Sequence, residues 1–185
     1  MKIYYVTSNN DKIKLAKMIF KDLDVEIIKE DIEIPEIQSL DCNEVAKYSA
    51  EYAAKLLNKP VLKNDSSLVI PALKGFPGAL AKYAEDTIGA DGYIKLLDGL
   101  DRKCYWVESL AYAEPDGDTV CFTSLSYGRI ADKVYEGRGY PFDKIFIPDK
   151  DTRTFSCMSE EEQLKTFDTS AYLKLYEYIK TKNSV

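Results

Sequence analysis

At residues 60–70 the chain reads PVLKNDSSLVI, an apolar run that breaks into polar residues and then resumes. This pattern predicts a buried strand, a polar tip and a return to the core, with Asp65 at the tip. A carboxylate held between rigid strands has little side-chain freedom to lose, which suits a metal ligand or a general base. The alternative is a β-turn with a solvated Asp65 and two serines. The rest of the chain favours the first interpretation.

The composition is ordinary for a globular protein. The 185 residues suit one domain over residues 1–185, with room for two lobes, and 45% of them are hydrophobic. A net charge of -6 argues against an extended nucleic-acid surface but leaves small anionic ligands as candidates. No apolar segment approaches membrane-spanning length, and the N-terminus does not resemble a signal peptide, so we expect no membrane partner.

The cysteine and histidine content limits the kinds of catalytic or metal site that the chain can form. The four cysteines are widely spaced, without a CxxC pair, so we expect no zinc site or disulfide framework and a reduced, cytoplasmic setting. The chain has no histidine, which excludes a Ser-His-Asp triad, a Cys-His pair and an imidazole metal site. An enzyme built from the remaining carboxylates, lysines, hydroxyls and amides favours Mg²⁺ and phosphate chemistry.

A strand, a polar turn and a helix start follow one another at the N-terminus. Residues 2–6 predict a buried strand, TSNNDK at 7–12 predicts a turn, and residues 13–20 predict a helix with an apolar face. A helix N-terminus offers backbone N–H groups and partial positive charge, and Lys12 adds a full charge, which suits an anion. The alternative is an ordinary capped helix with a surface lysine.

Extended and helical patterns alternate through the rest of the chain. Further strands are predicted at 25–28, 104–112, 120–130 and 145–147. Helices are predicted at 43–57, 79–84, 91–97 and 170–179, with another helix start at Ser159. The sequence EPDGD at 114–118 predicts a hairpin between two of the long strands. A proline-containing loop after the second strand carries Glu36.

The segment GRGYPFDKIFIP at residues 137–148 combines glycines, two aromatic residues and an aspartate. A flat heterocycle could stack on Tyr140 or Phe142 while Asp143 orients it. The alternative is a pair of core aromatic residues beside a loop.

Four blocks occur in one order along the chain: TSNNDK, IPEIQ, KNDSSL with the nearby GFPG, and GRGYPFDKIFIP. In this order and spacing the sequence resembles the inosine/xanthosine triphosphate pyrophosphatase family over nearly its whole length. The resemblance implies an α/β fold with a long curved mixed β-sheet, whose helices form two lobes around a central cleft. It also implies a homodimer and Mg²⁺-dependent hydrolysis of a nucleoside triphosphate to a monophosphate and pyrophosphate.

The resemblance also implies roles for individual residues. Asp65 falls on the family's general base, Lys12 on a lysine that acts on the phosphates, and Glu36 with Asp65 on the magnesium ligands. Positions that match substrate-binding residues are Thr7, Ser8, Asn9, Lys12, Ser66, Lys82, Tyr140, Phe142 and Asp143.

Several positions depart from the family pattern. The first acidic residue of the central block is Asn64 here, and its glycine is Ser67. A lysine expected on the helix at 43–57 is missing, with Ser49 or Glu51 nearby and Lys47 as a possible substitute.

The family's purine-reading segments, E-K-N and S-H-R, are replaced by Glu162-Gln163-Leu164 and Phe167-Asp168-Thr169. Loss of two donors to a purine's oxygen edge would cost selectivity between bases. Two alternatives to the parent activity therefore stay open. One is an impaired relative that binds nucleotide or a protein partner without hydrolysis, and the other is a pyrophosphatase with a shifted base specificity.

Overall fold

The computed structural model describes residues 2–21, 25–35 and 37–182. Within these ranges the strands are β1 (Lys2–Val6), β2 (Glu26–Glu30), β3 (Val61–Val69), β4 (Pro77–Gly78), β5 (Lys103–Ala113), β6 (Val120–Ile130) and β7 (Phe146–Pro148). The α-helices are α1 (Asn10–Phe20), α2 (Cys42–Leu57), α3 (Ala81–Thr87), α4 (Gly89–Leu96), α5 (Glu160–Thr166) and α6 (Ser170–Lys182). Short 3₁₀ turns lie at Pro71–Leu73, Pro141–Lys144 and Phe155–Cys157.

The strands form one mixed sheet in the order β2-β1-β3-β5-β6-β7, with β4 attached to β3. Strand β1 pairs in parallel with both β2 and β3. Strands β4 and β7 pair antiparallel with β3 and β6, respectively. The predicted α/β class and the mixed sheet are confirmed.

Strand β3 differs from its prediction at the centre. The expected polar tip and the alternative β-turn are both wrong, because β3 runs without a break from Val61 to Val69. Its neighbours β1 and β5 define its place in the sheet, and backbone pairing does not depend on whether a side chain is polar. Asp65 therefore lies within an extended strand.

The chain divides into two compact units. Unit 1 consists of residues 1–65, 108–124 and 169–185. In this unit, neighbouring strand residues point into different clusters: Tyr5 and Leu62 pack with α1 and α6, whereas Val6 and Val61 pack with the alanines of α2. The strands of unit 1 are therefore covered by helices on both faces, as the period-2 alternation of side chains allows.

Unit 2 consists of residues 66–107 and 125–168. Its core joins the end of β3, the helices α3 and α4, and an aromatic group around Phe142, Phe146 and Phe155. Aromatic rings meet there at centroid distances of 4.8 Å for Phe146 and Phe155 and 4.9 Å for Tyr93 and Phe142. Large buried rings supply much of the apolar burial that stabilises a unit of this size.

Most predicted helices and strands agree with the structure. The helix at 43–57 is confirmed as α2, which Asp41 caps by accepting from the backbone N–H of Asn43 at 2.8 Å. The two long strands are confirmed as β5 and β6, which neighbour one another in the sheet. The helix at 79–84 begins later, at Ala81, because Pro77 and Gly78 form β4. No helix of the described residues is both long and apolar enough to cross a membrane.

We predict that Gly128→Ala destabilises unit 2. A Cβ atom at residue 128 would meet the carbonyl oxygen of Ile147 and lie 2.7 Å from Cζ of Phe146. Relief of this overlap must separate β6 from β7, at a cost of about 1–3 kcal/mol in the free energy of unfolding. Urea unfolding measures the change, with Arg129→Ala as the exposed control on the same strand. Equal stability of the two variants would contradict the packing described here.

Candidate functional site

The turn between β1 and α1 is organised by its own side chains. Asn9 Oδ1 accepts hydrogen bonds from the backbone N–H groups of Asp11 and Lys12, at 2.8 Å and 3.3 Å. Thr7 Oγ1 accepts from the backbone N–H of Asn9 at 3.1 Å. The predicted capped helix start is therefore confirmed, and Thr7, Ser8, Asn9 and Lys12 lie together on one turn.

Positive charge collects around this turn. Lys12 is half-buried in the first turn of α1, where the helix dipole adds to its charge. Lys29 Nζ lies 3.4 Å from the carbonyl oxygen of Ser8 and 2.8 Å from Asn10 Oδ1. Asp31, 3.7 Å from Lys29 Nζ, offsets part of that charge. The turn thus has two cations, the carboxylates of Asp11 and Asp31, and a helix N-terminus, and the last of these together with Lys12 suits an anionic group.

The centre of β3 holds the polar residues of the KNDSS run. Asp65 and Ser66 are half-buried, while Asn64 is only 4% exposed. Asn64 Nδ2 donates a hydrogen bond to the carboxylate of Glu108 on β5. Sequence reasoning did not single out Glu108, because only the pairing of distant strands brings it beside residue 64.

The carboxylate of Asp65 is an oxygen donor of the kind that a hard cation such as Mg²⁺ prefers. Asn64 Oδ1 is a buried oxygen with no hydrogen-bond partner among the described residues, but it projects from the opposite face of the extended strand. Glu36, the other predicted magnesium ligand, lies outside the described residues. Within residues 2–21, 25–35 and 37–182, no cluster of three or more acidic or cysteine side chains could hold a metal ion.

In unit 2, the turn at residues 140–143 is fixed by two carboxylates. Asp143 Oδ2 accepts from the backbone N–H of Tyr140 at 2.8 Å, and Glu85 Oε1 accepts from that of Phe142 at 3.1 Å. Gly139 has a φ of +92°, and a Cβ atom there would collide with the Asp143 carboxylate. Glycine at 139 is therefore required by both backbone conformation and space.

The two aromatic residues of this turn have different environments. Phe142 is 6% exposed and packs against Tyr93 at 4.9 Å and edge-on to Trp106 at 5.6 Å. Tyr140 is 50% exposed. Tyr140 is thus the ring that can accept a stacked base, while Phe142 belongs to the core beneath it.

Lys82 forms ion pairs with two acidic side chains of its own helix. Its Nζ lies 2.7 Å from Asp86 Oδ1 and 3.4 Å from Glu85 Oε2. The hydrogen bond to Asp86 raises the pKa of Lys82. A contact between Lys82 and a phosphate would therefore require an exchange of partners.

The residues that replace the expected purine-reading segments take part in the fold. Gln163 Nε2 donates to the carbonyl oxygen of Phe155 at 2.8 Å, and the ring of Phe167 packs on Phe155 at 5.1 Å. Asp168 Oδ2 accepts from the backbone N–H of Leu125 at 3.4 Å. A carboxylate at residue 168 accepts hydrogen bonds, whereas the family's basic residues donate them.

The three residues named for the missing lysine of α2 have different environments, and Glu51 is exposed. Ser49 is fully buried, and its hydroxyl has no hydrogen-bond partner among the described residues. Lys47 is exposed. Burial raises the pKa of the Cys121 thiol to about 11, and the positive charge of Lys47 opposes that rise.

Known proteins resemble this chain over nearly its whole length. The Ham1 family profile matches residues 3–176. A dITP/XTP pyrophosphatase of Methanopyrus kandleri is 39% identical over 182 residues, which covers 97% of each chain. The protein of the same name from Thermococcus kodakarensis is 40% identical over 164 residues, or 88% of each chain. The structure of the Staphylococcus aureus Ham1 protein matches with a TM-score of 0.79 and 30% identity, covering 98% of this chain and 100% of that one.

We predict opposite consequences for truncation of the two rings at the 140–143 turn. Phe142→Ala should lower the free energy of unfolding by about 3–5 kcal/mol, because it leaves a cavity against Tyr93 and Trp106. Tyr140→Ala, the matched control, should change it by less than about 0.5 kcal/mol because the ring is half exposed. Urea unfolding followed by the fluorescence of Trp106, the single tryptophan, measures both. A large loss from Tyr140→Ala would contradict its assignment as the available ring.

Proposed function

The chain belongs to the Ham1 family, and on that premise we propose that it hydrolyses deaminated purine nucleoside triphosphates to monophosphate and pyrophosphate. The observation that carries this proposal is the match to proteins named dITP/XTP pyrophosphatase over nearly the whole chain. Lys12 of the TSNNDK block, and Asp65 and Ser66 of the KNDSSL block, are present within that match. The entire chain acts as one pyrophosphatase domain in this proposal.

The triphosphate binds at the turn between β1 and α1. The cap geometry supports this assignment, because Asn9 fixes the turn while Lys12 remains in the first helical turn. Thr7, Ser8 and Asn9 hold the phosphates through hydroxyl, amide and backbone groups. Lys12 offsets the negative charge of the phosphates in the bound substrate, and continues to do so for the leaving pyrophosphate as the bond between the α- and β-phosphates breaks.

Asp65 is the general base. It accepts a proton from the attacking water while the water oxygen forms a bond to phosphorus. The rigid strand on either side of Asp65 supports this role, since little motion is available to misplace the carboxylate. Bound Mg²⁺, held by Asp65 and Glu36, would offset phosphate charge and orient the triphosphate.

Contacts with the base are assigned from the family likeness. Tyr140 stacks on the heterocycle, Asp143 orients it, and Phe142 supports the turn from below. Ser66 and Lys82 make further contacts with the substrate. Asp168 stands where the family has a basic residue that donates to the oxygen edge of the base, so we expect weaker discrimination between bases than in relatives that keep the basic residue.

We also propose a cytoplasmic homodimer. All four cysteines lie among the described residues and none of them forms a disulfide, which suits a reducing compartment. Helix α2 exposes Tyr48, Tyr52 and Leu56 along one side, and the first two rings stack at 6.4 Å. This apolar stripe supports a second copy of the chain as its partner. A solution mass of twice 21.0 kDa is expected, and a monomer at all concentrations would contradict it.

A nucleotide screen tests the proposed activity directly. Pyrophosphate release is measured for ITP, dITP, XTP and the common ribo- and deoxyribonucleotides, with Mg²⁺ or Mn²⁺. We expect turnover of deaminated purines above that of ATP and GTP. Binding of a nucleotide by calorimetry without turnover of any would identify an impaired relative, and turnover confined to another base would identify a shifted specificity.

We predict that Asp65→Asn lowers kcat by about 10²- to 10⁴-fold, the range in which general bases contribute. The replacement removes a charge but almost no volume, so the thermal unfolding midpoint should change little. Asp116→Asn, at an exposed position between β5 and β6, is the matched control. Activity of Asp65→Asn close to that of the parent would assign the base to another residue.

We predict that Lys12→Ala raises KM for the triphosphate about 10-fold or more, because a charge-assisted contact contributes about 1.5–3 kcal/mol. Lys17→Ala, on an exposed position of the same helix, is the control and should leave KM unchanged. Steady-state kinetics at saturating Mg²⁺ measures both variants. An unchanged KM in Lys12→Ala would remove this residue from the phosphate site.

A further inference from the structure

We infer that Glu85 is a positioning residue that holds the turn at residues 140–143 in the shape that presents Tyr140 to the base. Glu85 lies on α3, and its contact with the turn joins residues 57 positions apart within unit 2. Neither sequence pattern nor family resemblance assigned a role to Glu85. The inference rests on the proposed contact between Tyr140 and the base.

The contact between Glu85 and the turn is direct and buried. Oε1 of Glu85 accepts a hydrogen bond from the backbone N–H of Phe142 at 3.1 Å, and Glu85 is only 8% exposed. Phe142 is the second residue of the 3₁₀ turn Pro141–Lys144, where no carbonyl oxygen of the same turn can accept its N–H. A group from elsewhere must accept it, and a carboxylate is a strong acceptor. The backbone at residue 142 is thus tied to α3.

The turn itself carries this restraint from Phe142 to Tyr140. Only Pro141 lies between them, and its ring fixes φ at about −65°. The two ends of the turn are also bonded to one another. Tyr140 donates its backbone N–H to Asp143 Oδ2 at 2.8 Å, and its carbonyl oxygen accepts from the backbone N–H of Asp143 at 3.0 Å. In a turn closed in this way, a displacement at residue 142 moves residue 140 with it.

The charge of Glu85 is offset by Lys82. Oε2 of Glu85 lies 3.4 Å from Lys82 Nζ, and the Glu85 side chain is 6% exposed whereas that of Lys82 is 71% exposed. Burial of a carboxylate costs free energy unless charged and hydrogen-bonding partners satisfy it, and Lys82 and the Phe142 N–H are such partners. Asp86 Oδ1 also pairs with Lys82, at 2.7 Å. Asp86 therefore shares the lysine with Glu85, whereas the hydrogen bond to Phe142 belongs to Glu85.

Loss of this restraint should weaken nucleotide binding rather than slow the chemical step. A turn that holds the binding shape for only part of the time lowers the apparent affinity by that fraction. Contacts with the base are the same before and during hydrolysis, so KM should rise while kcat changes little. Inorganic tripolyphosphate has no base, so its inhibition constant should stay the same.

Three substitutions at residue 85 separate the reach of the acceptor from its charge, with KM measured for the nucleotide turned over fastest in the screen. Glu85→Gln keeps an oxygen that reaches the Phe142 N–H, and KM should stay within about threefold of the parent. Glu85→Asp keeps the charge but is shorter, and Glu85→Leu removes both acceptor and charge. These two should raise KM about 10-fold or more, with kcat within about twofold. Asp86→Asn, the matched control, removes a partner of Lys82 but no contact with the turn, and should not raise KM.

The outcomes distinguish positioning of the turn from other roles. A parental KM in Glu85→Asp or Glu85→Leu would overturn the inference, and Glu85→Asp alone carries this test if Glu85→Leu does not fold. An equal rise in Asp86→Asn would assign the effect to Lys82 and overturn it as well. So would a rise in Glu85→Gln as large as in Glu85→Leu, or a parallel rise in the inhibition constant of tripolyphosphate. A parent chain that turns over no nucleotide would instead defeat the proposed function, and this inference with it.

Discussion

Polar side chains inside a strand at the middle of a sheet need hydrogen-bond partners. The environment of the candidate general base depends on how this constraint is met. Residues 64–67 carry an amide, a carboxylate and two hydroxyls through β3, which has β1 on one side and β5 on the other. A buried polar group without a partner costs free energy. Asn64 meets this constraint with one hydrogen bond to Glu108 and leaves its carbonyl oxygen and the Ser67 hydroxyl without partners among the described residues.

Local supports of the same kind recur elsewhere in both units. In unit 1, Asn9 and Thr7 shape the turn that leads to Lys12. In unit 2, Asp143 and Glu85 hold the backbone of the turn that presents Tyr140. In each case a polar side chain accepts from a backbone N–H, so the neighbouring residue is held in place before any ligand arrives.

Sequence alone predicted those parts of the fold that follow from local patterns. The spacing of apolar residues in α2 and the long β-like runs of β5 and β6 were sufficient to predict these three elements. Hydrophobic periodicity and hairpin signals depend only on residues close together in the sequence. The break predicted at residue 65 was wrong, since side-chain polarity does not report the backbone pairing that keeps β3 extended. The partner of Asn64 could not be predicted, because Glu108 is 44 residues away and only strand order brings it close. The different exposures of Tyr140 and Phe142 depend on the packing of Tyr93 and Trp106, which no local pattern encodes.

The central claim is that Asp65 and the α1 turn act on the same metal-bound triphosphate. A crystal structure with Mn²⁺ and a non-hydrolysable dITP analogue tests it most directly, because anomalous scattering locates the ion. The account predicts the ion in direct coordination to the Asp65 carboxylate, with the phosphates against Lys12 and the backbone of Ser8 and Asn9. A nucleotide bound with its phosphates away from Lys12, or an ion that does not contact Asp65, would contradict it.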